Sequence, residues 1–358
     1  MGMREMGLEK LGWDPWFEAL SIREGRPIEM LARVAAVDRD QLVLLNDTGA
    51  FRAKLAGSYL YRHRQSEELP CVGDWVCVEK SPDDDFGLIH ALLDRRTSLR
   101  RKAAGGSTEA QMIAANVDYV IIVQSCHFDF NPNRLERYLV MVRDGGAEPC
   151  VLLTKTDLVE PDIVADQLSR IRALGVTAPV LTLSNVTREG IDDLKQTLVP
   201  GKTYCFVGSS GVGKSTIINE LIGRELCETN DVSATGEGRH TTVRRELILL
   251  QSGALVIDNP GMREFGILNA EDGIDGGFID ITDLASRCRY RDCSHSGEPG
   301  CAVHAALSAG EIDRDHYENY CKLKEEAAFY QMSHAEKRKK DRDFGKYIKS
   351  VKKGMTRD

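Results

Sequence analysis

The run Gly208-Ser209-Ser210-Gly211-Val212-Gly213-Lys214-Ser215 has the residue types and spacing to hold a phosphorylated ligand. Glycines at 208, 211 and 213 permit positive φ and close backbone approach, so successive N–H groups can surround phosphate oxygens. Lys214 has the reach to meet β- and γ-phosphates, and the Ser215 hydroxyl suits Mg²⁺. The apolar run 203–207 precedes the loop, and Thr216-Ile217-Ile218-Asn219-Glu220-Leu221-Ile222 follows it. Strand, glycine turn and helix start therefore stand in the required order, and the helix dipole adds favourable potential for an anion. A chance glycine-rich turn would share the composition without this context.

Two further polar groups sit at the ends of apolar runs. Asp258-Asn259-Pro260-Gly261 follows Ala254-Leu255-Val256-Ile257. An aspartate at a strand end with a glycine three positions on suits the metal side of a P-loop nucleotidase: Asp258 would stabilise Mg²⁺ and the Gly261 N–H would sense the γ-phosphate. The same four residues also make a good turn. Thr154-Lys155-Thr156-Asp157 follows Pro149-Cys150-Val151-Leu152-Leu153 and resembles the Asn/Thr-Lys-x-Asp motif of GTPases. The Asp157 carboxylate can accept from both the ring N–H and the exocyclic amine of guanine, a pattern adenine cannot match. Lys155 would lie along the base, and Thr154 offers a hydroxyl where Asn is commoner. Ser184-Asn185 resembles the Ser-Ala motif that contacts the base through backbone, with its second residue replaced. These segments precede the phosphate loop instead of following it, an order that corresponds to a circular permutation of the domain.

Cys288, Cys293, His295 and Cys301 place three thiols and an imidazole in one short stretch. Four protein ligands of this kind suit one structural, tetrahedral Zn²⁺. A disulfide would leave His295 unused and oppose a reducing compartment. His304 and Cys321 read as packing residues.

The elements that must position these groups are of two kinds. Between residues 30 and 93, five short apolar runs separated by Asp, Gly and Pro predict strands, and five strands in a modest segment predict a small closed barrel of the oligonucleotide-binding type. From Val117 to Ile257, buried strands alternate with helical spacing, which predicts a parallel sheet covered on both faces, with ligands at the strands' carboxyl ends. The expected organisation is multidomain: residues 1–100 as an N-terminal extension and OB-like β-barrel, 101–270 as a circularly permuted α/β P-loop GTPase domain, and 271–358 as an α-helical zinc-binding domain with a basic tail. The aromatic cluster around Trp13, Trp16 and Phe17 reads as packing on a neighbouring domain. The basic run Arg95 to Lys102 reads as either a solvated linker or a phosphate contact.

With 358 residues, 42% hydrophobic and 28% charged content and a net charge of −8, the chain has the composition of a globular protein, and any nucleic-acid surface must be local. Lys337, Arg338, Lys339 and Lys340, with lysines at 346, 349, 352 and 353, concentrate positive charge in the tail. No apolar run reaches the length of a bilayer span, and the first residues lack the apolar core of a signal peptide, so no membrane partner and a cytoplasmic setting are expected.

The permuted motif order, the preceding barrel, residues 111–118, Gly238-Arg239-His240-Thr241-Thr242, Asp258 to Gly261 and the cysteine cluster together resemble the ribosome small subunit-dependent GTPase A family. The resemblance covers nearly the whole chain. It implies a cytoplasmic bacterial GTPase that binds the small ribosomal subunit and its rRNA, assists late maturation, and hydrolyses GTP to GDP under stimulation by the subunit. Met262 stands where many GTPases place Gln and cannot orient water, so His240 is the expected replacement, acting with Lys214, and Thr242 rather than Thr241 the expected Mg²⁺ contact. A monomer is expected. The competing readings are a P-loop ATPase or kinase, in which Asp157 reads no base, and a noncatalytic RNA-binding zinc protein.

Overall fold

The computed structural model describes residues 7–39, 41–63, 65–80, 86–102, 110–223, 245–258 and 271–331. It divides into two compact units, Met1–Gly266 and Ile267–Asp358. Among the described residues no helix is long and apolar enough to cross a membrane.

The first unit opens with α1 (Pro15–Glu24), whose start is fixed by Pro15 and by the Asp14 carboxylate accepting from the Trp16 and Phe17 N–H groups at 3.0 and 3.3 Å. The barrel follows: β1 (Leu31–Val37), β2 (Leu42–Asn46), β3 (Gly49–Leu55), α2 (Gly57–Arg62), β4 (Trp75–Lys80) and β5 (Phe86–Leu92). The strand order β1-β2-β3-β5-β4 closes through a β1–β4 pairing, with β3 and β5 parallel and the rest antiparallel. The expected five-stranded barrel is present. Val34, Leu44, Phe51, Ala53, Val76 and Ile89 fill it, while Trp13 meets Trp75 edge-on at 4.8 Å, so the N-terminal aromatics cap one side.

Next come β6 (Ser98–Lys102) and β7 (Ala110–Ala115), an antiparallel pair. Here the basic run departs from expectation. Arg95 gives Nε and Nη2 to the fully buried Asp74 at 2.8 and 2.7 Å and its other donors to the Glu67 and Leu69 carbonyls. Arg96 pairs with Asp14 and Asp118, and Arg100 with Asp144. These arginines are internal braces, neither a solvated linker nor a free phosphate contact.

The permuted α/β portion comprises β8 (Tyr119–Ser125), α3 (Pro132–Asp144), β9 (Glu148–Thr154), α4 (Pro161–Ala173), β10 (Val180–Leu183), α5 (Ile191–Thr197), β11 (Thr203–Val207), α6 (Lys214–Ile222), β12 (Glu246–Leu249) and β13 (Leu255–Asp258). The sheet order is β10-β9-β8-β11-β13-β12, parallel except for β12. Alternate β8 residues point to opposite faces: Val120 and Ile122 join Leu135, Leu139 and Ile171 of α3 and α4, while Ile121 and Val123 join Ile191, Leu194, Ile217 and Ile218 of α5 and α6.

The barrel and this sheet are continuous, because β12 pairs with β1 through Glu246 and Ala36. A buried polar junction reinforces the join. Arg33 of β1 donates to the carbonyls of Leu11, Gly73 and Asn116, and Asn116, at φ 53°, ties its side chain to the Arg96 N–H and the Gly73 carbonyl. Gly73 has no alternative residue there, since a Cβ would lie 2.1 Å from the Ala115 carbonyl oxygen.

The second unit is helical: α7 (Glu271–Gly277), α8 (Ile279–Ala285), α9 (Ala302–Ala309) and α10 (Arg314–Gln331). Phe278 is buried against Tyr320 and His316, and His316 reaches the Asp280 carboxylate at 3.1 Å.

Candidate nucleotide site and metal centre

The phosphate loop leaves the end of β11, every residue of which is buried. Gly208 takes φ 143°, and a Cβ there would lie 2.2 Å from the Val123 carbonyl oxygen on the neighbouring strand β8. Gly211 and Gly213 take φ 82° and 99°. The chain then turns into α6, whose first-turn N–H groups have no preceding helical turn to satisfy them. Ser210, Ser215 and Thr216 are exposed there, Ser209 is half-buried and Val212 is buried. Lys214 Nζ donates to the carbonyls of Gly208 (2.7 Å) and Ser209, so the lysine braces the loop it serves. Burial lowers its pKa, and the charges of Asp129 and Asp258 oppose that shift. At the end of β13, burial raises the Asp258 pKa, and Lys214 counters it.

The upstream segments reach the same edge of the sheet. Thr154, fully buried at the end of β9, donates its hydroxyl to the Val212 carbonyl inside the phosphate loop at 2.7 Å, with the Gln124 carbonyl 3.2 Å away. Lys155 sits at φ 59°, and Thr156–Leu158 forms a short 3-10 turn that presents Asp157. The Ser184 hydroxyl donates to Asp157 Oδ1 at 2.5 Å and accepts from the Val186 and Thr187 N–H groups. The Asn185 amide lies beside Gly213, 2.9 Å from where a Cβ would stand. Thr154, Lys155, Thr156, Asp157, Ser184 and Asn185 are thus gathered with residues 208–216 and Asp258 at the carboxyl ends of adjacent parallel strands. His240, Thr241, Thr242, Gly261 and Met262, like the basic tail, lie outside the described residues.

One neighbouring loop carried no motif. Gln124 fixes the turn after β8 through both the N–H and the carbonyl of Asn131 at 3.2 and 3.1 Å, and this turn carries Asp129. Its only sequence mark is an acidic residue between a buried strand and an Asn-Pro helix start.

In the second unit, Cys288, Cys293, His295 and Cys301 bring their ligand atoms within 4.8 Å of one another. Cys288 Sγ and Cys301 Sγ are 3.9 Å apart, and each is 3.6 Å from His295 Nδ1. Zn–S bonds of ~2.3 Å and a Zn–N bond of ~2.0 Å at tetrahedral angles require separations of roughly 3.8 and 3.5 Å, so this set fits a metal ion. The Ala302 and His304 N–H groups at the start of α9 donate to Cys288 and Cys301, which favours thiolates. Burial acts to raise the Cys288 pKa, but the Val303 and Ala302 amides and the neighbouring thiols outweigh it and leave it lowered. The Tyr317 hydroxyl holds the His295 carbonyl at 2.6 Å.

The RsgA GTPase family model matches residues 92–268. The small ribosomal subunit biogenesis GTPase RsgA of Opitutus terrae is 41% identical over 334 residues, covering 90% of both chains. RsgA 2 of Listeria monocytogenes is 42% identical over 327 residues, covering 91% of this chain and 90% of its own. Among solved structures, YjeQ from Thermotoga maritima superposes with a TM-score of 0.62 at 25% identity, over 82% of this chain and 96% of that one. YloQ, described as a circularly permuted GTPase, shares the fold with a TM-score of 0.59 at 24% identity, over 85% and 96%. A barrel joined to a permuted P-loop sheet, a four-ligand cysteine–histidine cluster and relatives of this similarity along nine-tenths of the sequence lead to one assignment: the chain belongs to the RsgA GTPase family.

Proposed function

We propose that this chain is a GTPase switch whose triphosphate form docks on the small ribosomal subunit and whose hydrolysis to GDP and phosphate, stimulated by the subunit, releases it late in maturation. Membership of the family makes the chain a GTP hydrolase of small-subunit biogenesis. The observation that carries the residue assignments is the 2.7 Å bond from Thr154 to Val212, which ties the base-side segment to the phosphate loop, so that one purine nucleotide can span both.

In this reading Asp157, oriented by Ser184, accepts the guanine ring N–H and amine, with Lys155 and Asn185 alongside. Backbone amides of residues 208–216 and Lys214 hold the phosphates. Ser215, Thr242 and Asp258 offer the oxygen donors that suit Mg²⁺, and Gly261 follows the γ-phosphate. Bound Mg²⁺ would neutralise charge on the phosphoryl oxygens. His240 orients the attacking water once the subunit engages the chain. The four-ligand cluster holds one structural Zn²⁺, for which three thiols and an imidazole are the matching donor set. The chain works as a cytoplasmic monomer in three functional regions, 1–100, 101–270 and 271–358, with the basic tail and the barrel against rRNA.

An ATPase would have no use for a carboxylate held in place by Ser184. The deciding experiment is Asp157→Asn: its nucleotide preference should move from guanine to xanthine, because an amide donates where the carboxylate accepted. Unchanged preference in competition binding rejects the base assignment. Phosphate release that does not rise on adding small subunits rejects the switch.

A further inference from the structure

The turn between β8 and α3 carries a charged pair that the chemistry above leaves unused. Asp129 Oδ1 pairs with Arg134 at 2.8 Å, and Arg134 also donates to the Asp129 carbonyl. The other carboxylate oxygen, Oδ2, is buried with no hydrogen-bond partner among the described residues. Burying an unpaired carboxylate oxygen costs free energy, so its place calls for a reason.

The location supplies one. In the sheet, β8 lies between β9, which ends at Thr154, and β11, which ends at the phosphate loop. The Val123 carbonyl is the atom against which Gly208 packs, and Gln124 fixes the turn that carries Asp129. Among the described residues, the charges of Asp129 and Asp258 both act on half-buried Lys214. They differ in what a nucleotide does to them. In this reading Asp258 faces the cation that arrives with the triphosphate, whereas the cation in direct contact with Asp129 is Arg134.

Resting on the reading that GDP and GTP occupy this site, we infer that Asp129 is a positioning residue for nucleotide release: its fixed negative charge competes with the phosphates for Lys214 and shortens the stay of GDP. The effect is graded by ligand charge, larger for GDP than for GMP. Arg134 offsets part of that charge, so its removal leaves more of it acting on the site.

The test is dissociation of fluorescently labelled GDP and GMP from the full chain with Mg²⁺. Asp129→Asn should slow GDP release roughly fivefold and change GMP release much less. Asp129→Glu should behave as the native protein, and Arg134→Gln should speed GDP release. A purely structural role for the turn would make Asp129→Asn and Arg134→Gln both release GDP faster. That result, or GDP release unchanged in Asp129→Asn, overturns the inference. Where Asp129→Asn is not recovered folded, Asp129→Ser removes the same charge and is read in the same way. If the native chain binds no GDP, the nucleotide reading fails with it; if the native chain binds and the neutral variant does not slow, this inference alone fails.

Discussion

Two glycines of one phosphate loop, Gly208 and Gly211, are required for different reasons. At Gly208 both conformation and space exclude a side chain, since φ is 143° and the Val123 oxygen stands 2.2 Å from the Cβ position. At Gly211 only the φ of 82° matters, because nothing lies within 4 Å. Gly208→Ala should therefore cost about 3 kcal/mol and abolish tight GTP binding, while Gly211→Ala should cost about 1 kcal/mol. Urea unfolding of the two variants checks the ranking, and equal losses would refute it. The sequence pattern marks both positions alike, because the spacing of glycines carries no information about which neighbour crowds which residue. Thr154 was legible as a base-side residue but not as a brace. A hydroxyl there looks like a loss relative to Asn until the fold brings the Val212 carbonyl to it. Asp129 had no motif at all, for its charge acts on Lys214 across 85 positions of sequence.

At the scale of elements, strands and helices were readable because burial imposes period: β8 alternates between two helix layers, and β2, β3 and β5 of the barrel alternate between core and a more exposed face, while β1 and β4, covered on both faces, read as continuous apolar runs. The arginines of 95–102 were not readable. Charge in a row resembles a solvated segment whenever its partners, here Asp74, Asp14, Asp118 and Asp144, are distant in sequence. The pair Arg95–Asp74 ties the exit of the barrel to the segment that leads into β4 through buried charge, because Asp74 is fully buried and also accepts from the Cys71 N–H at 2.7 Å. Asp74→Ala leaves the Arg95 guanidinium without its counter-charge in a largely buried site. It should destabilise the first unit by about 3–5 kcal/mol, seen as a lower urea midpoint with an unchanged slope. A loss below about 1 kcal/mol would instead place Arg95 among ordinary surface pairs.

For the whole molecule, the two compact units draw on different sources of stability. The first rests on extensive apolar layers and the Arg33–Asn116 junction, in which burial lowers the Arg33 pKa to about 10 while Asp118 opposes the shift. The second sets three helices of at most eight residues beside α10 and places three cysteine sulfurs within 4.8 Å of one another and of an imidazole nitrogen. Thiolates so close repel unless a cation sits among them, so a chelator should not merely empty this cluster but unfold the helices anchored to it. Adding a strong chelator to the full chain should release about one Zn²⁺ per molecule. It should remove the thermal transition of Ile267–Asp358 while GDP binding by the first unit persists. Cys301→Ser should reproduce that pattern without chelator, because Cys301 both supplies a sulfur and caps α9 by accepting from the His304 N–H. Should the second unit melt identically with and without chelator, the cluster would owe its geometry to helix packing alone. Should GDP binding vanish together with the metal, the two units would not be the separate sources of stability that their cores imply.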